Sequence, residues 1–525
     1  MTKPLILALD SGTSLVKAVA FDRDGQLLAS AARANSYVML PDGGAEQDMH
    51  RTWDDACAVL RELAADIAAR LPDHEIATLG VTGQGDGTWL VDADGEPVGR
   101  GWLWLDARAA AIVDELKDSG AAQAAFAYTG SGLAACQQAP QLLWLDRNRP
   151  EAVARATTAF HPKDYLYLRL TGERATSPCE GSFTFGDFRI RGYRPEVLAA
   201  LGMERFARLL PPIVDGMDTA HKLSARAAAQ TGLPPGLPVA LGYVDVVCTT
   251  LGAGIYGGGH DSGVTIMGST GMHIRLVADT ARIAPSPAMT GYCMAFPVPG
   301  HTIQAQSNMA STINLDWVVG IAVEAAALAS GGYVSRGAIM RSFDEGVLGA
   351  RPGAVLYHPF ISTAGERGPF TDVHARAAIL GLDQNVTLMD LTRGIYEGLC
   401  FAARDCYAAI GGTPAEIRIT GGAARSPALR HMLAACLDRP VRGAAQAEAG
   451  VAGVAMMAAV QAGMFADMAA CARRWIASRP TEAVYPDPAL AAIYERLFPV
   501  YRDAYHAMPG LWRQLHAARE ETHGG

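Results

Sequence analysis

The sequence contains no Cys-x-x-Cys pair, no His-Glu-x-x-His and no Gly-x-x-x-x-Gly-Lys-Ser/Thr loop. The first two absences leave no zinc framework, and the third means that any ATP is held without a P-loop. A basic tail or stripe is missing too. With 44 Lys and Arg against 53 Asp and Glu, the formal net charge is −9, which argues against nucleic acid as a partner. The nine cysteines are scattered and odd in number, the pattern of reduced, mostly buried thiols in a cytoplasmic protein. No long hydrophobic run suggests a membrane span. The chain reaches Asp10 after only a short apolar run, unlike a secretory signal. Residues 450–466 are built of Ala, Gly, Val and Met and include Gln461, which predicts a closely packed interior helix.

Of the 525 residues, half are apolar, enough for two large domains. The segment from Leu5 to Asp22 reads as an apolar strand, a polar turn around Gly12 and a second apolar strand, followed by a third strand near Gln26 to Ala31. From Thr52, apolar residues at Trp53, Cys57, Leu60, Leu63, Ile67 and Leu71 recur at helical steps. Strands are expected at Ile76 to Thr82 and Thr88 to Val91, and the alternation that continues predicts an α/β fold. Near Leu251 the composition turns to Gly252, Gly254, Gly257, Gly258 and Gly259, a hinge or crossover. Beyond it, Ser262 to Ile274 repeats the opening strand, Ser/Thr/Gly turn and strand. Two such turns predict a duplicated fold with a cleft between halves, divided as 1–254 and 255–525.

Several residues carry chemistry in this frame. Asp10, at the end of a buried strand, suits a divalent cation, while Gly12 lets backbone N–H groups approach an anion. Ser11, Thr13 and Lys17 add hydroxyls and a positive charge. The same letters open aspartic proteases, and Asp261-Ser262-Gly263 would supply a second acid. That fold, however, is almost wholly β. Gly252, Gly254 and Gly257 match a dinucleotide fingerprint without the helix it needs. Asp245, in an apolar run before a helix expected at Cys248 to Gly252, is either a helix cap or a base for a substrate hydroxyl. Gln84 and Asp86, on a glycine-flanked loop, offer polar groups to a polyol, and an indole of the pair Trp102 and Trp104 can lie against its C–H face. The glycine pair Gly421-Gly422, after a strand and opening a helix, would admit a flat base or ribose. Ser426 would touch that ligand or cap the helix.

Taken together, the segments Leu9 to Thr13, Glu46 to Asp48, Gly83-Gln84, Trp104 to Arg108, Lys163 to Leu166, Gly242 to Asp245, Gly365 to Pro369, Glu397-Gly398 and Thr420 to Ser426 resemble the FGGY carbohydrate kinases in type and order. The resemblance implies two ribonuclease-H-like domains of the actin, hexokinase and Hsp70 ATPase type around an active-site cleft. It implies ATP and Mg²⁺, with Asp10 and Asp245 toward the metal and Asp245 as general base. Ser11, Gly12, Thr13, Lys17, Thr270 and Gly271 would face the phosphates, and Gly421, Gly422, Ala423 and Ser426 the adenosine. Gln84, Asp86, Trp104 and Asp245 would hold the substrate. Gly85-Asp86 stands where glycerol kinases carry Arg-Glu and xylulose kinases Met-His, and Cys136 where a tyrosine closes the glycerol site. The stretches around Gln84, Trp104 and Phe183 to Arg189 are similar to the erythritol-kinase branch, which implies a polyol slightly longer than glycerol. Family habit also suggests a homodimer. A nucleotide-gated ATPase on the same fold is the rival reading.

Overall fold

The structure, a computed structural model, describes residues 2–257, 261–478 and 481–523. Gly258 and Gly259 of the expected hinge lie outside the described residues. Five strands, β1 (Lys3–Ser11), β2 (Leu15–Phe21), β3 (Leu27–Ala34), β4 (His74–Gly83) and β5 (Pro238–Leu241), form the first sheet in the order β3-β2-β1-β4-β5, with Ala220–Lys222 added outside β5. A second sheet is built from β6 (Ser262–Met267), β7 (Gly271–Val277), β8 (Thr302–Asn308), β9 (Glu416–Thr420) and β10 (Val441–Gly443), in the order β8-β7-β6-β9-β10. Tyr292–Ala295 and Ala483–Val484 extend its edges.

The two orders are the same, and so are the directions. In each sheet the second strand runs antiparallel to both the first and the third, and the first pairs in parallel with the fourth, which pairs in parallel with the fifth. This is the ribonuclease-H-like order, present twice as expected. The central strand reads Leu5-Ile6-Leu7-Ala8-Leu9 without a polar residue because both its faces are covered. Leu5, Leu7 and Leu9 share a core with Trp53, Leu60 and Leu63 of helix α1 (Met49–Arg70) and with Tyr165 and Leu166 of helix α2 (Pro162–Thr171). A short helix, α3 (Pro178–Phe185), follows.

Ile6 and Ala8 face the other way, into a core shared by both halves. It contains Val247, Cys248 and Leu251 of helix α4 (Asp245–Ala253), Val264 and Ile274 of the second sheet, and Val451, Val454 and Ala455 from far along the chain. Helix α5 (Thr312–Ser330) is long and apolar enough, by length and composition, to cross a membrane, which departs from the expectation that no run of the sequence would be. Its Leu315, Val318 and Val319 pack into the core of the second half. Helices α6 (Leu388–Ala409) and α7 (Pro427–Leu437) complete that core.

Helix α8 (Ala449–Gln461) is the small-residue helix expected within 450–466, and ten of its thirteen residues are buried. Its composition has a specific cause. A Cβ on Gly453 would lie 1.9 Å from the Cys248 carbonyl oxygen, and one on Gly252 would lie 2.0 Å from that of Ala449. Thus α4 and α8, from opposite halves, cross backbone to backbone at two glycines.

Candidate active site

Asp10 sits at the end of β1, opposite Lys17 on β2 and Thr82 on β4. Its Oδ1 is buried without a partner. Burial pushes its carboxyl up to about 6; Lys17 opposes the rise and Glu448 adds to it. The first turn of α8 approaches this carboxylate, since a Cβ on Gly450 would stand 3.3 Å from Asp10 Oδ2. Lys17 itself pairs with Glu448, just before α8, at 2.6 Å. An ion pair between the halves therefore occupies the lysine that the resemblance directs toward phosphates.

Asp245 is the first residue of α4, not its cap. Val244 takes the cap position without a side-chain bond, and Asp245 Oδ1 accepts from the Val246 N–H at 2.6 Å. Burial raises its carboxyl to about 8, and among nearby charges that of Asp10 contributes most, followed by Glu180 and Asp86. Asp10 and Asp245 thus repel one another across β1 and α4. Two buried carboxylates that interact electrostatically, one with an orphaned oxygen, fit a divalent cation, which would offset both the repulsion and the burial. Asp261 is exposed and accepts from the Ala415 N–H at 3.1 Å, so the second Asp-Ser-Gly caps a strand and does not face Asp10.

The turn after β1 is tied to the polyol loop by a chain of side chains. Trp104 Nε1 donates to Thr13 Oγ1 at 2.8 Å, Thr13 donates to Gln84 Oε1 at 2.8 Å, and Gln84 Nε2 donates to Gln47 Oε1 at 3.0 Å. Gln47 bonds to Asn35, whose amide donates to the Gly12 carbonyl at 2.8 Å. Thr13 and Lys17 therefore brace the site in this structure, while the buried Ser11 hydroxyl has no partner. Trp102 is a core indole with the Arg108 guanidinium 3.5 Å from its ring centre, and Arg108 also pairs with Asp106 and Glu46. Of the two indoles, Trp104 alone is partly exposed.

Asp86 has φ of 54° and Gly87 has φ of 76°, a left-handed pair that turns the Asp86 side chain inward. Burial raises its carboxyl above the usual range; His161, the Cys136 thiol and Arg367 oppose the rise. Cys136 Sγ donates to Asp86 Oδ2 at 3.5 Å, and Arg367 Nη1 of the second half reaches Cys136 Sγ at 3.8 Å. Sequence reasoning quoted Arg367 only as part of a motif. No local signal places it beside Asp86, because the two are brought together by the meeting of the halves. A cavity of about 510 Å³ opens at this junction, lined by Val113, Gly132 and Ala134 on one side and Tyr292, Glu366 and Arg367 on the other.

In the second half, the turn Gly268-Ser269-Thr270-Gly271 is held by Gly268 N–H to Thr270 O at 3.0 Å and by the Thr312 hydroxyl to Gly268 O at 2.8 Å. Gly271 is tightly packed, since a Cβ there would meet Asn308 Oδ1 at 2.1 Å. Gly421 has φ of 92° and lies over the Met267 carbonyl. The glycine pair opens a short 3₁₀ turn, Gly422–Arg425, which includes Ala423, and the helix expected there starts further on. That helix, α7, begins at Pro427 with Ser426 as its cap. The Ser426 hydroxyl accepts from Leu429 N–H at 2.9 Å and bonds to Asp344. The cap, one of the two roles read for Ser426, is thus present. All nine cysteines are free and buried.

Comparisons with known proteins agree with this architecture. Residues 5–252 match the N-terminal domain of the FGGY family of carbohydrate kinases, and residues 263–462 its C-terminal domain. The chain is 47% identical over 513 residues to an erythritol kinase of Brucella abortus (strain 2308), covering 97% of this chain and 98% of that protein. It is 26% identical to an L-xylulose/3-keto-L-gulonate kinase of Escherichia coli (strain K12), over 97% and 98% of the two chains. In fold it is similar to a gluconate kinase from Lactobacillus acidophilus, with a TM-score of 0.86 at 21% identity over 98% of this chain and 100% of that one. The chain belongs to the FGGY family of carbohydrate kinases, which phosphorylate a small sugar or polyol with ATP.

Proposed function

We propose that the protein transfers the γ-phosphoryl group of ATP to a terminal hydroxyl of erythritol. The observation that carries the reading is Asp245, raised to about 8 beside Asp10 on the same wall as the Gln84–Asp86 loop. Once ionised, a carboxylate with that pKa is a stronger base toward the substrate hydroxyl than an ordinary aspartate, and a cation held beside it would favour the ionised form near neutral pH. The identity of 47% to an erythritol kinase, over almost the whole of both chains, supports the choice of polyol.

In this mechanism Gln84, Asp86 and Trp104 hold the polyol, and Asp245 receives the proton from its terminal oxygen. Bound at Asp10 and Asp245, Mg²⁺ would neutralise charge on the phosphates. The turns Ser11-Gly12-Thr13 and Thr270-Gly271 would offer backbone and hydroxyl donors to those phosphates, with Lys17 adding charge if it leaves Glu448. Gly421, Gly422 and Ala423 leave room for the adenosine, with Ser426 at its edge. The division 1–254 and 255–525 makes α4 and α8 the joint on which the cleft would close and exclude water.

A coupled ADP assay across glycerol, erythritol, threitol, xylitol and xylulose tests the reading. Erythritol should give the highest kcat/KM. A higher value for xylulose or xylitol would overturn the choice of substrate, and polyol-independent turnover would favour a nucleotide-gated ATPase.

A further inference from the structure

His161 lies just before α2 and is 4% exposed. Its Nδ1 faces two acids, Asp164 at 3.3 Å and Glu180 at 3.8 Å. These acids are bridged by the buried Lys163 ammonium, which lies 2.5 Å from Asp164 and also pairs with Glu180. His161, Asp164 and Glu180 are close enough together to suggest a metal triad, but Lys163 already supplies the cation. Two atoms of the cluster are buried without a hydrogen-bond partner, Glu180 Oε1, which faces the ring at Nδ1, and His161 Nε2, which points away from both acids' contacts with that nitrogen.

Another orphan lies nearby. Asp86 Oδ1 is also buried and unpartnered. Three pairings bring the two residues together. Trp89 pairs with Phe160 across the small sheet of Trp89–Val91 and Thr158–Phe160; the Gly87 N–H donates to Cys136 O at 2.8 Å; and the Gln138 amide donates to Phe160 O at 3.2 Å. Of the charges around Asp86, that of His161 acts on it most strongly. Burial pulls the imidazole down, but Glu180 and Asp164 outweigh it and hold the ring above its ordinary value. The two acids thus favour the charged ring, the form in which both nitrogens donate. A buried imidazole nitrogen and a buried carboxylate oxygen left open cost free energy unless a ligand completes them.

We propose that His161 and Asp86 together grip one substrate hydroxyl at the end of the polyol remote from Asp245, His161 Nε2–H donating to its oxygen and Asp86 Oδ1 accepting its proton. This subsite rests on the polyol reading above and extends it with a residue outside the motifs. It gives the pocket a length: a chain that ends one carbinol short leaves both orphans unpaired, which a buried polar site penalises heavily.

The test uses two substitutions with opposite geometry. His161→Gln can place an amide N–H where Nε2 stands, whereas His161→Asn reaches only the Nδ1 position and keeps the contact with Asp164. In His161→Asn, kcat/KM for erythritol should fall about 10- to 100-fold, mainly through KM, while that for glycerol stays within about threefold, which also reports an intact fold. His161→Gln should retain the wild-type preference within about threefold. A merely structural histidine predicts the reverse order, with Asn the milder change, and that result would sink the subsite. So would an erythritol preference that survives in His161→Asn. A wild-type enzyme that turns over neither erythritol nor threitol sinks the polyol reading and the subsite with it.

Discussion

In the first half the turn after the central strand is flanked by Asp10 and Lys17, and the loop after β4 carries Gln84 and Asp86. In the second half the corresponding turn is Gly268-Ser269-Thr270-Gly271 and the corresponding loop is Gly421-Gly422-Ala423, neither with an ionisable group. One strand order thus serves two chemistries. Under the proposed function, acids that would meet a cation and a hydroxyl are gathered on one side, and backbone donors with space for a flat ligand on the other. Neither half is sufficient, and the glycine crossing of α4 and α8 holds them in one core.

The comparison breaks most completely at Asp245. Asp245→Asn should lower kcat by about a thousandfold with nucleotide binding largely kept, measured by a coupled assay and by ADP titration. An unchanged kcat would remove Asp245 as the base. Gly453→Val attacks the joint instead. Its Cβ would be 1.9 Å from a backbone oxygen that no rotamer change can move, so a destabilisation of roughly 3 kcal/mol or more is expected. Denaturant unfolding would read it, and a wild-type midpoint would show the crossing to be slack.

The acids of the first half also have a pH signature. The folded state keeps a proton on Asp245 up to about 8, whereas the unfolded chain releases it near the ordinary aspartate value. Between those limits the folded state binds more protons, so this residue's contribution to stability declines as pH rises toward 8. Without ligands, Asp245→Asn should melt a few degrees above the parent at pH 8.5 and with it at pH 4. Added Mg²⁺ should narrow the difference at pH 8.5 by stabilising the parent. Identical melting curves across the range would contradict the raised pKa.

Threonines in equivalent turns sharpen the contrast. Thr13→Val cuts the link between Trp104 and Gln84, and should raise KM for the polyol about three- to tenfold. Thr270→Val should raise KM for ATP by a similar factor; an exchange of these effects would reverse the assignment of the halves. The smallest effect is expected at Lys17 and Glu448, whose side chains are 25% and 43% exposed. Glu448→Gln should change stability by no more than about 1 kcal/mol. A larger loss in thermal melting would make this pair a true clasp between the halves.

Much of the fold was legible because its signals are local. The continuous apolar run from Leu5 to Leu9, the helical steps from Trp53 to Ile67 and the small residues of α8 each follow from burial on a strand or helix face. The glycine turns were legible for the same reason. The start of α4 was drawn three residues late, at Cys248, with Asp245 read as a possible cap, because a strand-like run of Val and Tyr precedes it and masks where the helix begins. The helix after Gly421-Gly422 was drawn too early because Pro427, which fits a first helical position, lies beyond a 3₁₀ turn. His161 and Arg367 escaped as site residues. Neither stands in a pattern that points at Asp86, and their chemistry comes only from what other segments bring to them.

By itself, then, the sequence determined the class, the twofold repeat of strand, turn and strand, and the family, and it supplied the candidates proposed for phosphate, acid and polyol. These follow from periodicity, glycine placement and motif order, all carried by neighbouring residues. Only the tertiary structure decided which groups act on one another: Asp10 on Asp245, Lys17 with Glu448, Thr13 with Gln84 and Trp104, and His161 beside Asp86. Repulsion, burial and hydrogen bonding depend on separations of a few ångströms between segments tens to hundreds of residues apart, and chain folding alone sets those separations.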